Sequence, residues 1–263
     1  MRDLFSDAGL QALDKFSVAP LICLFDFDGT LAPIEKDPMQ VFLPPLVQQK
    51  LQALQHFVRV GIVTGRALKD LRSRLGFVPD YLIGNHGIEG IMDWESRSAN
   101  FPSQCALWRE QLGAGITAID PAVWIEDKHY SLSLHFLQAR DIQHAMQELT
   151  LLISQLHPAP RVIPGKNVFN LLPAAAMDKG QAVVQLLAQA KMSQAIYVGD
   201  DATDEDVFQL HHPDIFTVRV GSDEQSAAAY YIPDYQSIGA LLDLLLACLA
   251  PHAIPTSEIR RSP

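Results

Sequence analysis

Leu21-Ile22-Cys23-Leu24-Phe25-Asp26-Phe27-Asp28-Gly29-Thr30 begins as five apolar residues without a break and ends in two acids, a glycine and a threonine. An unbroken apolar run of this length suits a strand buried on both faces of a parallel sheet; a half-solvated strand would alternate instead. Asp26 stands where that strand runs out. In extended backbone, side chains two apart point the same way, so the Asp26 and Asp28 carboxylates share a direction, and Gly29 permits a sharp exit.

The pattern returns at Val58-Arg59-Val60-Gly61-Ile62-Val63 before Thr64-Gly65-Arg66, and at Ala195-Ile196-Tyr197-Val198 before Gly199-Asp200-Asp201. Helical periodicity fills the intervals at 45–57, 68–75 and 179–190. Alternating strand and helix predicts an α/β fold with a doubly wound, mostly parallel sheet and a Rossmann-like core, whose strand-end loops converge on one crevice. From 101 to 172 the order changes to αββαββ, with a β-rich stretch over 123–136, a helix near 141–156 and two strands joined at Gly165-Lys166-Asn167. This reads as an inserted α+β cap, dividing the chain into core (1–100), cap (101–172) and core again (173–263).

Of the 263 residues, 48% are hydrophobic and 19% charged, which predicts a folded globular protein. A formal net charge of −10 argues against nucleic acid or anionic lipid as a partner, since both need a cationic surface. It also means that an anionic substrate would need a metal ion and local Lys or Arg to overcome the overall field. Cys23, Cys105 and Cys248 lie far apart and read as reduced fillers. Residues 1–20 lack the basic start and apolar stretch of a signal peptide, so a cytoplasmic location is expected. The apolar stretch 238–250 is too short to span a bilayer and reads as a core helix, followed by a frayed tail from Pro251. No protein partner is indicated.

Two acids placed like Asp26 and Asp28 can divide the work of phosphoryl transfer: Asp26 attacks phosphorus to form an acyl phosphate, and Asp28 shuttles protons. Neighbouring negative charge is expected to raise the pKa of Asp28 towards neutrality. The acids in Gly199-Asp200-Asp201-Ala202-Thr203-Asp204-Glu205-Asp206 would repel one another without a cation, and hard carboxylate oxygens favour Mg2+. Asp26, Asp200 and the backbone carbonyl of Asp28 are the expected metal ligands, with Asp201 and Asp204 in the layer behind them and Asp204 also available to Lys179. Glu205 and Asp206 equally suit capping of a helix N-terminus. Thr64, Gly65 and Arg66 offer a hydroxyl, a backbone N–H and a helix start, together an anion cradle. Lys179 could clamp a transferring phosphoryl oxygen.

In their order these pieces resemble the four motifs of the haloacid dehalogenase superfamily over nearly the whole chain. Within it, Gly199 to Glu205 with Phe208, and Gly84-Asn85-His86-Gly87-Ile88-Glu89, look like the trehalose-6-phosphate phosphatases, whose cap is of the αββαββ type. The resemblance implies a magnesium-dependent phosphatase acting on a small sugar phosphate, with His86 among the substrate-binding residues. Glu126-Asp127-Lys128 followed by Ser131-Leu132 and His135 is similar to the family's sugar-binding strand, which makes Glu126 and Lys128 the specificity residues. Asn170 stands where the family usually has glutamate, and Leu137 where arginine commonly follows the His-aromatic pair.

Asn170 can hydrogen-bond a hydroxyl but brings no charge, so glucosylglycerol phosphate and sucrose 6-phosphate are the rival substrates. A signalling receiver domain shares the acids, Thr and Lys but lacks an acid/base two residues beyond its acceptor and has no inserted cap. A silent sugar-phosphate sensor is the remaining rival.

Overall fold

A computed structural model of the chain describes residues 1–17, 20–35 and 37–250; the tail from Pro251, read above as frayed, lies outside them. The chain opens with β1 (Arg2–Asp3), α1 (Asp7–Phe16), β2 (Leu21–Phe25), α2 (Pro45–Leu54), β3 (Arg59–Val63), α3 (Leu68–Leu75) and β4 (Tyr81–Ile83). There follow α4 (Trp94–Arg97), α5 (Phe101–Ile119), β5 (Trp124–Asp127), β6 (Leu132–His135), α6 (Ile142–Ser154), β7 (Arg161–Gly165) and β8 (Val168–Leu172). Last come α7 (Lys179–Ala190), β9 (Gln194–Gly199), α8 (Glu205–Phe208), β10 (Ile215–Val220), β11 (Tyr230–Ile232) and α9 (Ile238–Leu249). Two compact units result, one from Met1–Met92 with Asp178 onward, the other from Asp93–Met177.

The first unit is built on a seven-stranded sheet of order β1-β11-β10-β9-β2-β3-β4, and every pairing is parallel. Its order explains the sequence of β2. With β9 on one side and β3 on the other, and helices available to both faces, all five residues of β2 are buried. The chain leaves β2 towards β3 and β4 in one direction, and β9 leads to β10, β11 and β1 in the other. The β2–β9 boundary is therefore the point where the winding reverses, the place where a parallel sheet opens a crevice at its carboxyl edge. Register carries the strand ends there: Phe25 lies opposite both Ile62 and Val198, so Asp26, Thr64 and Asp200 follow close upon one another in space.

Helices α2 and α9 close part of this core. Leu51, Leu54, Leu241, Leu242 and Leu245 are fully buried, each such side chain contributing roughly 1.5–3 kcal/mol on removal from water. The α9 stretch is thus the core helix its composition predicts. No helix among the described residues is long and apolar enough to cross a membrane.

The second unit is an antiparallel sheet of order β5-β6-β8-β7 with α5 and α6. Strand alternation sorts its two faces. Leu132, Leu134 and Leu171 join Trp108, Leu112 and Leu149 of the helices in one buried cluster, while Trp124, Glu126, Ser133, His135 and Asn170 fall on the opposite face. Lys166 and Asn167 form the two-residue loop between β7 and β8, with Asn167 at φ 60° as a tight hairpin requires. The unit is wider than 101–172, for physical reasons at both ends. Trp94 of α4 packs edge-on against Tyr130, ring centroids 5.1 Å apart, and Arg161 Nη2 donates to the Met177 carbonyl at 3.0 Å.

Candidate active site

Asp26 continues the line of β2 by one residue, its N–H donating to the Val198 carbonyl at 2.8 Å. It is 4% exposed, buried among strand ends. Gly29 turns the chain away at φ 86°, and a Cβ there would lie 2.1 Å from Asp200 Oδ2, so only glycine lets the loop after β2 approach the loop after β9. Thr30 Oγ1 completes that junction by donating to Asp200 Oδ1 at 3.0 Å.

Lys179 is the cation of the site. As the first residue of α7 it is 1% exposed and donates to Asp26 Oδ1 at 2.7 Å and Asp204 Oδ1 at 2.8 Å. The capping box of Asp178 and Gln181 fixes the helix end that carries it. Asp204 also accepts from the Tyr197 hydroxyl at 2.6 Å and from the N–H groups of Asp200 and Asp201 at 2.9 and 3.0 Å. A carboxylate has about four acceptor positions, and those of Asp204 are all used. It braces the loop and the lysine and has nothing left for a further ligand.

Carboxylate oxygens of Asp26, Asp200 and Asp204 lie within 4.8 Å of one another. One buried ammonium among three acids leaves surplus negative charge. Burial and the charge of Asp204 push Asp200 up to about 7, although the Thr30 hydrogen bond opposes them. Burial likewise raises Asp26, Lys179 opposing and Asp204 and Asp200 adding. Burial would lower Lys179, but its two carboxylate partners win and hold it charged. A divalent cation with a preference for hard oxygen would relieve this surplus, so the acidic cluster around Asp26 and Asp200 is compatible with a metal such as Mg2+.

Asp28 faces a different neighbour from the one expected. Arg66 Nε donates to its Oδ2 at 2.7 Å and Nη2 to its Oδ1 at 2.6 Å. The charge beside Asp28 is therefore a guanidinium, and the expectation of neighbouring negative charge is corrected. Arg66 is turned to this acid, to Asp70 at 2.9 Å and to the Pro38 carbonyl at 2.9 Å.

Thr64 and Gly65 reach the crevice from the end of β3. Thr64 Oγ1 accepts from the Arg66 N–H at 3.2 Å, which leaves its proton for another acceptor. His86 lies behind this loop: its N–H donates to the Thr64 carbonyl at 3.0 Å, and a Cβ on Gly65 would come within 2.4 Å of its ring. Glu89, singled out above only as the end of the Gly84–Glu89 motif and without a role, accepts from the Leu68 N–H at 3.0 Å and from Asn85 Nδ2 at 2.6 Å. It takes the place of an N-cap on α3, where Ala67 has no side chain to cap with. Tyr197 was also missed; the one available signal was a hydroxyl inside an otherwise apolar strand. Glu205 turns outward to Arg219 Nη1 at 3.1 Å and the Ala227 N–H at 3.0 Å.

In the second unit, Glu126 Oε2 lies 2.9 Å from His135 Nε2 and 3.8 Å from Lys128 Nζ. Asn170 is buried, its Oδ1 accepting from Ser133 Oγ at 2.6 Å. Its acceptor is thus partly engaged within the sheet.

A parallel core whose winding reverses at such a crevice, interrupted by an α+β insert, defines a doubly wound α/β protein with a cap-like insert. Residues 24–234 match the trehalose-phosphatase family, and the chain belongs to it. It is 31% identical over 204 residues to a trehalose-phosphate phosphatase of Mycobacterium tuberculosis, the alignment covering 72% of this chain and 51% of that protein. To trehalose-phosphate phosphatase B of Arabidopsis thaliana it is 26% identical over 208 residues, covering 72% and 56%. The chain thus spans about half the length of these relatives. In fold it is similar to the C-terminal domain of a Candida albicans trehalose-6-phosphate phosphatase, with a TM-score of 0.76, 20% identity and coverage of 94% and 99%.

Proposed function

We propose that the chain hydrolyses trehalose 6-phosphate to trehalose and inorganic phosphate through an aspartyl-phosphate on Asp26, in a magnesium-dependent reaction in the cytoplasm. The observation that carries this reading is Lys179 bridging Asp26 and Asp204, with Asp200 beside them and Asp28 two residues on. Family membership supplies the substrate.

Lys179 fixes the rotation of the Asp26 carboxylate by bonding one oxygen, which orients the other for in-line attack on phosphorus. The new Asp26 O–P bond forms as the ester P–O bond breaks, and a proton from the Asp28 carboxyl goes to the departing sugar oxygen. Asp28, now ionised, takes a proton from water, which attacks phosphorus and returns Asp26 as a carboxylate. Thr64 Oγ1 and the Gly65 N–H donate to the equatorial oxygens as charge develops on them. Mg2+ held by Asp26, Asp200 and the Asp28 carbonyl would supply charge neutralisation to the phosphoryl group. Asp201 and Asp204 hold that loop in place, and Arg66 orients Asp28. Glu126 and Lys128 recognise sugar hydroxyls. Asn170 brings no charge to that face, which favours testing sucrose 6-phosphate and glucosylglycerol phosphate alongside.

Phosphate release from these three substrates by the purified full chain with Mg2+ tests the reading. Trehalose 6-phosphate is expected to be turned over fastest and many times per chain, with chelation abolishing activity. Asp26→Asn is expected to abolish it while the circular dichroism spectrum stays native; phosphate release by that variant would remove Asp26 as nucleophile.

A further inference from the structure

The polar face of the insert's sheet carries an aromatic platform that the chemistry above does not use. Trp124 on β5 and His135 on β6 are directly paired across the strands. Their rings stack with centroids 4.2 Å apart and planes 13° apart. His135 Nε2 lies against Glu126 Oε2 at 2.9 Å, so a carboxylate fixes the imidazole on which the indole rests. One face of the indole is therefore covered and its orientation set. β5 is an edge strand, and Trp124 remains 40% exposed, so no neighbouring strand covers the rest of its ring.

An exposed, oriented indole beside a carboxylate and an ammonium has a specific chemical complement. Glu126 follows Trp124 by two positions on the same face, and Lys128 Nζ lies 3.8 Å from Glu126 Oε2. A pyranose ring with equatorial hydroxyls presents a flat patch of C–H groups on its face and polar groups around its edge. The C–H patch suits the negative face of an aromatic π-system, and the hydroxyls suit a carboxylate acceptor and an ammonium donor. The other tryptophans are placed differently: Trp108 is fully buried with its Nε1 donating to the Pro158 carbonyl, and Trp94 is edge-on to Tyr130.

We propose that Trp124 is a stacking platform for one pyranose ring of the substrate and thereby a determinant of specificity for a disaccharide phosphate. The proposal rests on the trehalose 6-phosphate reading and adds to it a ring-binding contact outside the polar pair Glu126 and Lys128. The stack on His135 holds the indole rigid before substrate arrives, so little side-chain freedom is lost on binding.

Two measurements on the full chain test it. In steady-state kinetics, Trp124→Ala is expected to raise KM for trehalose 6-phosphate about tenfold or more, with a much smaller change in kcat and on p-nitrophenyl phosphate. Trp124→Phe, which keeps a π-face, is expected to recover most of the loss. In Asp26→Asn protein, titration with trehalose is expected to perturb tryptophan emission saturably, and adding Trp124→Phe should remove that response. An unchanged KM in Trp124→Ala together with an emission response that survives Trp124→Phe would overturn the platform. Failure of the substrate reading is separate: it shows as absence of trehalose 6-phosphate turnover by the unaltered chain, and the emission titration then decides the platform alone.

Discussion

Arg66 grips both oxygens of Asp28, Nε on Oδ2 at 2.7 Å and Nη2 on Oδ1 at 2.6 Å. A planar fork of this kind fixes direction as well as charge. Arg66 is itself only 7% exposed and anchored by Asp70, which also accepts from Arg74. Arg74 in turn donates to the carbonyls of Met39 and Val41. The proposed acid/base therefore sits at the end of a chain of charged hydrogen bonds reaching into the segment after β2.

Arg66→Lys keeps the charge but loses the fork. It is expected to lower kcat about tenfold or more and to alter the pH–rate profile, because general acid/base catalysis depends on the position of Asp28. An unchanged kcat and profile would show that Asp28 needs no such guide.

Asp70 gives a pH dependence of stability. Burial raises its pKa, but hydrogen bonds and charge from Arg74 and Arg66 outweigh this and hold it below the usual carboxylate range. A depressed native pKa contributes stability above the unfolded value of about 3.9, and that contribution is lost as pH falls through the native value. The difference in thermal midpoint between the unaltered chain and Asp70→Asn is expected to be largest near neutral pH and to shrink below about pH 4. A difference independent of pH would mean that shape, not charge, sets its role.

Lys179→Met tests the charge balance of the site. Without the ammonium, Asp26 and Asp204 are left buried beside Asp200, and breaking a buried pair from one side costs roughly 3–5 kcal/mol. The midpoint of urea unfolding at neutral pH is expected to fall accordingly, and to recover partly as Mg2+ is added, since a ligand that binds only the native state stabilises it by mass action. A variant within about 1 kcal/mol of the parent would place the balance elsewhere.

Much of this was legible in local pattern. Five apolar residues ending in Asp26 mark a strand buried on both faces because nothing in them alternates, and the two-residue spacing to Asp28 fixes a shared direction. The short outer strands were not legible. β1 has two residues and β4 three, too few to show a period. The Arg66–Asp28 fork spans 38 positions and depends on how two strand-end loops fold, which no window of sequence contains. Asp70 and Arg74 stand at i,i+4 within α3, a local spacing, whereas Arg66 precedes the helix and meets Asp70 only through the fold of its loop. Glu89 was hidden because its role depends on Leu68, whose N–H it caps from another loop.

Selectivity of the insert gives the last test. Glu126 is held by His135 and near Lys128, so its carboxylate is oriented before any sugar arrives. A hydrogen bond to a charged group contributes about 1.5–3 kcal/mol, so Glu126→Ala or Lys128→Ala is expected to lower kcat/KM for trehalose 6-phosphate by roughly 10- to 100-fold. p-Nitrophenyl phosphate offers no hydroxyls, and its loss should be much smaller in both variants. Comparing the two substrates within one protein preparation separates recognition from damage to the phosphate site, since misfolding would depress both together. Equal losses would remove Glu126 and Lys128 as selectors and leave the choice of sugar to the core.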